Sequence, residues 1–373
     1  MHTSALHATD SSRSPLVTVG EVLRIFQVMS LPRLDFDPRK ERGQDEPPIE
    51  WVAALGCWCV FEPKAVTEVL RSGDFISADF AKLHRQLEEK TDTDCSAAVG
   101  VLNHVPSANE GERHAECRRE LARVLTANSA SSREITANRV RDLVPKLCRP
   151  GARVDLVQEI ILPVWDTLSE CLLGVAPPSQ PDNRMSASQV FDLYLGLNRR
   201  RAINTQMRDM LDAFSASETN LKTSPHYAAA LSVLGHDSIV SALGCSLFRV
   251  LSDQEGQPLT AIAFPQTVPA TGVPYIERFA AKDCSVASTP IRKADRVRLY
   301  LDAGKSTPDA LDQLYFGRGR HSCLGEEISS WLWRTLANEF AALPLTCSIE
   351  RVEMRKPDWV FVYYSSIEAR FDV

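Results

Sequence analysis

Within ten residues, the stretch FGRGRHSCLG, Phe316 to Gly325, holds a thiol, an imidazole, two guanidinium groups and three glycines, and the helical pattern EEISSWLWRTLANEF follows at once. Gly317 and Gly319 permit backbone turns that residues with a Cβ resist, and they let a flat ligand come close. Cys323 then falls at a helix start, where unsatisfied amides and the positive end of the helix dipole favour a thiolate. Gly325, having no side chain, leaves that start open to a bulky partner. A thiolate held in this way is a metal ligand or a nucleophile.

Three other readings compete. A nucleophile needs a base, and His321 lies two residues from Cys323, but neighbours in one turn rarely face each other and the glycines would have no role. A structural zinc site needs more ligands at suitable spacing. Cys57 and Cys59 form only a C-x-C, while Cys95, Cys117, Cys245 and Cys284 are scattered. The third is a buried, inert cysteine. The segment AGKST, Ala303 to Thr307, looks like the tail of a phosphate loop, but Leu299 stands where that loop needs glycine and Pro308 interrupts the following helix.

The rest of the 373-residue chain must position these groups. Its 42 basic and 48 acidic residues give a net charge of −6, so there is no overall basic footprint and nucleic acid is not an expected partner. Ten cysteines without a secretory signal read as reduced thiols, and the longest apolar run, Trp51 to Phe61, is far short of the roughly 20 residues of a membrane span. The expectation is a cytoplasmic protein with no membrane anchor.

The first 15 residues are polar and expected to be mobile. A short strand, a proline turn and an amphipathic helix carrying Val66, Val69 and Leu70 follow in WCVFEPKAVTEVLRSGDFIS. Helical patterns dominate the middle: GERHAECRRELARVLTA, RVDLVQEIILPVWDTLSECLLGV, SQVFDLYLGLNRRRAINTQMRDMLDAF and SPHYAAALSVLGHDSIVSALGCSLFRVLSD. β-like pieces come late, at DRVRLYLD and DWVFVYYSSI. These patterns predict one mainly α domain with a small β part over residues 1–373.

The pattern F-G-x-G-x-H-x-C-x-G, filled by Phe316, Gly317, Gly319, His321, Cys323 and Gly325, resembles the haem-binding loop of the cytochrome P-450 family. The resemblance implies a P-450 fold and Cys323 as the axial thiolate on the iron of haem b. It further implies that the haem propionates meet His114 and Arg118, which are similar to the family's H-x-x-x-R, together with Arg278 of R-x-A-x-x-D and His321. LGHDSIVSA is similar to the family's A-G-x-D-T, with Asp237 and Ser238 as the acid and alcohol that hand protons to a buried site. The alternative for Ser238 is a bond back to the carbonyl four residues earlier. The likeness runs from about Trp51 to Val373 and is weakest between about Pro178 and Ser224.

Two features depart from the family pattern. No E-x-x-R lies between Asp237 and Cys323, an interval of 323 − 237 = 86 positions that is short for the family, and the meander DAGKSTPDALDQLYF holds no arginine. Joint loss of both partners of a buried ion pair is coherent, because losing one alone leaves an uncompensated charge. The fold expected is therefore a P-450 fold shortened between the I helix and the haem loop. The activity implied is oxidation of a small organic substrate with O2 by a monomeric haem-thiolate monooxygenase, without a membrane partner, in bacterial secondary metabolism. Electrons would come from a ferredoxin-type partner docking on Arg113, Arg119, Arg123, Arg318 and Arg320. Alternatives are a peroxide-dependent, isomerase or dehydratase enzyme on the same fold, or a haem-free activator protein.

Overall fold

The computed structural model describes residues 47–127, 129–177, 187–192, 195–302, 314–355 and 361–373. All lie in one compact unit, Gly43–Val373. The expectations for residues 1–15, for the AGKST segment and for most of the meander fall outside the described residues.

Nine α-helices and ten strands are found among the described residues: α1 (Pro63–Arg71), α2 (Phe80–Thr91), α3 (Ser96–Leu102), α4 (Gly111–Ala127), α5 (Ser129–Leu147), α6 (Leu162–Leu173), α7 (Leu197–Ala216), α8 (Pro225–Asp253) and α9 (Glu326–Ala341). A five-stranded sheet runs in the order β1 (Ile49–Val52), β2 (Cys57–Val60), β8 (Arg296–Tyr300), β5 (Tyr275–Ala280), β3 (Phe75–Ile76). Only β2 and β8 pair in parallel, with Trp58 opposite Val297. A second sheet sets β10 (Tyr364–Asp372) between β4 (Arg153–Asp155) and β9 (Thr346–Met354), and β6 (Cys284–Val286) pairs with β7 (Thr289–Ile291) as a hairpin.

Local sequence accounts for several boundaries. Pro63 opens α1, where a missing amide hydrogen costs nothing, and Val66, Val69 and Leu70 are buried as their spacing predicts. Gly174, at φ 88°, closes α6 in the left-handed conformation. Two long patterns break where a helix was expected to continue. RVDLVQ begins as strand β4, because it completes the sheet under β10, and a π-helical turn at Leu156–Ile161 leads into α6. SQVF forms a 3-10 turn, Ala187–Phe191, ahead of α7. Of DWVFVYYSSI, Asp358 to Val360 lie outside the described residues, and the described strand begins at Tyr364.

α8 is long and apolar enough to cross a membrane, yet most of it is buried inside the fold, as a core helix is. It touches α3, α4, α6 and α7 on the way and meets β9 and β10. The main core gathers around it and α9, with Leu332, Trp333, Leu336 and Phe340 fully buried beside Leu243, Leu247, Ile367 and Phe371.

Among the described residues no α-helix separates α8 from β5. The chain makes a 3-10 turn at Leu259–Ala261 and then runs irregularly. Leu259, Ile262 and Val268 fill core space, and the Trp333 indole donates to the Pro265 carbonyl at 2.9 Å. The absence of E-x-x-R thus coincides with absence of the helix that would carry it.

Trp333 should therefore be a principal support of this irregular connection. Trp333→Ala is expected to lower unfolding free energy by about 3–5 kcal/mol in a urea titration. Trp51, half exposed and edge-on to Trp58, should cost no more than about 1.5 kcal/mol when replaced by alanine.

Candidate functional site

The cysteine loop is held by its own backbone. Gly317 N–H donates to the Leu314 carbonyl and Cys323 N–H to the Phe316 carbonyl, both at 2.8 Å, around a 3-10 turn at Gly319–His321. Gly317 and Gly319 have φ of 66° and 74°. A Cβ on Gly319 would stand 2.5 Å from the Leu70 carbonyl oxygen, so the loop can approach the end of α1 only as glycine. Gly325 has ordinary φ of −87°, and a Cβ there would lie 3.6 Å from the Cys323 sulfur. Its bareness opens space beside the sulfur and meets no backbone demand.

α9 starts at Glu326 with Gly325 as its cap, so Cys323 sits two residues before the cap. Gly325 N–H reaches Sγ at 3.3 Å. Enclosure by protein nevertheless pushes the thiol up, with the Glu326 carboxylate adding to it, against the Gly325 and Glu326 amides and Arg118. The helix start by itself does not lower the pKa of this thiol; a cation on the sulfur would. Cys323 has exposed surface, and it faces a cavity inside the protein.

That cavity, about 370 Å³, runs from Cys323 and Gly325 to the apolar faces of α4 and α8 and is roofed by Phe80 and Phe191. One end is cationic. Arg118 donates to the Ser322 carbonyl at 2.6 Å. Arg278 is 9% exposed and donates to the Glu277 carbonyl at 2.8 Å; burial brings its pKa down to about 10. Neither arginine has an ion-pair partner among the described residues. His321 Nδ1 and His114 Nε2 are buried and have no hydrogen-bond partner among the described residues, and the two rings lie 4.3 Å apart. Burial, with the neighbouring His321 and Arg118, also pulls the His114 pKa down.

A thiol at the cavity floor, two arginines without an ion-pair partner among the described residues at one edge and two imidazole nitrogens beside them fit a flat metal complex carrying carboxylates. Haem is such a group. The structure brings together Cys323, His321, His114, Arg118, Arg278, Phe316, Gly317, Gly319 and Gly325 from three distant stretches of sequence. Among the described residues no three His, Cys, Asp or Glu side chains cluster as a metal site of their own, and no two cysteines are bonded to each other.

Asp237 and Ser238 lie differently from each other. Asp237 is wholly buried and stays clear of the cavity wall. Its carboxylate accepts from Ser188 Oγ at 2.6 Å, His236 Nδ1 at 2.8 Å and the Arg355 guanidinium at 3.3 Å. Ser238 lines the cavity, but its hydroxyl donates back to the Leu234 carbonyl. Gly235 permits close packing at this turn, since a Cβ there would lie 2.5 Å from the Trp165 ring.

Sequence reading missed two groups. Glu110 accepts from the Ser77 amide at 2.8 Å and His321 Nε2 at 3.1 Å, and pairs with Arg320 at 3.3 Å. Its position one helical turn before His114 was a faint signal. Arg355 pairs with Asp237 and lies over the Tyr363 ring at 3.9 Å; 118 residues separate the pair in sequence, and only the topology shows their contact.

No family model matches the chain. In sequence it is similar to cytochrome P450 105C1 of a Streptomyces species, at 24% identity over 70% of this chain and 84% of the relative. It is similar to the cytochrome P450 monooxygenase PikC of Streptomyces venezuelae at 24% identity, over 64% of this chain and 68% of that one. The solved structure of CalO2 superposes with a TM-score of 0.71 at 16% identity, covering 91% of this chain and 98% of that one. At that identity the likeness is one of fold.

The cavity roof has a pH-sensitive prop. His84, on α2, donates through Nδ1 to the Phe80 carbonyl at 2.8 Å and accepts at Nε2 from Arg200 at 3.2 Å. Burial, together with the Arg200 charge, lowers its pKa to about 4. The unfolded chain, with an ordinary histidine pKa of about 6.5, binds the proton first, so stability falls as pH drops from 6.5 toward 4. Melting curves across that window should lose up to about 3 kcal/mol more in the wild type than in His84→Gln.

Proposed function

We propose that this chain, which has the cytochrome P-450 fold and is similar in sequence to bacterial cytochromes P-450, is a haem-thiolate enzyme that oxidises a small, largely apolar molecule. The observation that carries the proposal is the meeting, in one cavity, of the Cys323 sulfur with Arg278 and Arg118, neither of which has an ion-pair partner among the described residues. Haem b, when bound, would supply oxygen chemistry at its iron.

The chain's own residues do the rest. Cys323 would ligate the metal, and Arg118, Arg278 and His321, with His114 beside them, would hold the carboxylates. Leu231, Leu234, Phe80 and Phe191 would exclude water and grip an apolar substrate. Ser238 is the hydroxyl of the acid–alcohol pair that faces the cavity, and it must leave the Leu234 carbonyl before it can pass on a proton. Asp237 must likewise loosen from Arg355. A ferredoxin-type donor and a substrate from bacterial secondary metabolism belong to this reading by family likeness.

The docking face has mixed charge. Arg113 pairs with Glu116, Arg123 with Glu120 and Arg320 with Glu110. This leaves Arg119 and Arg318 as the cations of the five without an ion pair among the described residues. Those two are the first choices for charge reversal.

The engaged state of Asp237 and Ser238 favours a second reading, in which hydrogen peroxide replaces O2 and reductant so that fewer protons have to be delivered. Haem-loaded protein should be titrated with a panel of apolar small molecules, looking for a low-to-high-spin shift of the Soret band. A molecule that gives the shift should then be consumed only with O2 and a ferredoxin–reductase pair. Consumption with peroxide alone would select the second reading, and no shift with any apolar probe would count against the proposed substrate class.

A further inference from the structure

Glu110 joins three segments that are far apart in sequence. It lies immediately before α4. Its Oε1 accepts from both the Ser77 amide, just past β3, at 2.8 Å and His321 Nε2, in the cysteine loop, at 3.1 Å. Its Oε2 faces Arg320 at 3.3 Å, and Arg320 donates in turn to the Phe75 carbonyl at 2.8 Å. Among the described residues, Glu110 is the one carboxylate ion-paired with the cations at this end of the cavity. Partial burial works to raise its pKa, but the His321 bond and the Ser77 amide prevail and hold it at about 2.

The consequence falls on His321. Its side chain is 6% exposed and lines the cavity. A bond at Nε2 orients the ring and leaves Nδ1, which is buried and has no hydrogen-bond partner among the described residues. We propose that Glu110 is a positioning residue of the cofactor site, acting through His321: by accepting from Nε2–H it sets the ring so that the other nitrogen edge faces the cofactor, where the imidazolium form donates Nδ1–H to a cofactor carboxylate. The inference rests on the haem reading given above. It assigns the role to one oxygen, Oε1, rather than to the charge of Glu110, because an added negative charge near the cofactor's carboxylates would by itself weaken their binding.

The test follows haem loss from the loaded full-length protein to excess apomyoglobin, in the wild type and in Glu110→Gln, Glu110→Asp, Glu110→Ala, His321→Ala and the Glu110→Ala/His321→Ala double variant. Glu110→Ala should lose haem about tenfold faster or more, the usual range for an outer-shell partner. Glu110→Gln, which keeps Oε1, should stay within about threefold of wild type on the same scale. Glu110→Asp keeps the charge but shortens the reach, and should lose haem faster than Glu110→Gln. In the His321→Ala background the Glu110→Ala change should add little, because both act on one contact.

Haem retention by Glu110→Ala equal to wild type would overturn the proposal, as would additive effects in the double variant. So would Gln losing haem faster than Asp, a comparison that holds even if the alanine variant does not fold. A wild-type protein that takes up no haem would overturn the haem reading and this inference with it, whereas a loaded wild type with an indifferent Glu110 would overturn this inference alone.

Discussion

A guanidinium taken out of water with no carboxylate bonded to it destabilises a fold, and Arg278 is in that position among the described residues, the nearby Glu110 charge offsetting only part of the burial. It is 9% exposed, its hydrogen bond goes to a backbone carbonyl, and burial lowers its pKa to about 10. A buried charge of this kind persists where a partner arrives from outside the chain. Arg118 is in a similar state, bonded to the Ser322 carbonyl beside the cysteine. The cavity, its thiol floor and the two orphaned imidazole nitrogens all make sense once a ligand with carboxylates completes these cations.

The connection between α8 and the sheet is one place where this chain departs from the family it resembles. It has no helix there to carry a buried ion pair among the described residues, and apolar packing of Leu259, Ile262 and Val268 against α9 takes over. Buried ion pairs survive elsewhere. Arg298 meets Glu277 twice, at 2.8 and 3.1 Å, with the Tyr275 ring 4.0 Å away, which ties β8 to β5 next to Arg278. Arg355 meets Asp237 and ties the end of β9 to the middle of α8. Replacing one buried pair by packing while keeping others is energetically reasonable, since a well-packed apolar substitute is often neutral or better.

Much of the site was legible in the sequence because it is written locally. Cys323, His321 and the glycines share one loop, and Gly319 is required there by a positive φ and by the nearness of Leu70. His114 and Arg118 share one helix face. The acid–alcohol pair was legible only as residue types, since nothing in LGHDSIVSA tells that Asp237 turns toward Arg355 or that Ser238 bonds back along its helix. Glu110 and Arg355 matter through contacts across 211 and 118 positions, and no local pattern encodes these. Strand β4 was hidden for a related reason: the RVD segment is a strand because β10 lies beside it.

The most direct measurement is the absorption spectrum of the purified protein, reduced and exposed to carbon monoxide, beside that of Cys323→Ala. The account predicts about one haem per chain in the wild type, with the strongly red-shifted Soret band of thiolate ligation, and loss of that band in the variant. A wild-type band at the position typical of neutral ligation, or one that survives Cys323→Ala, would contradict it.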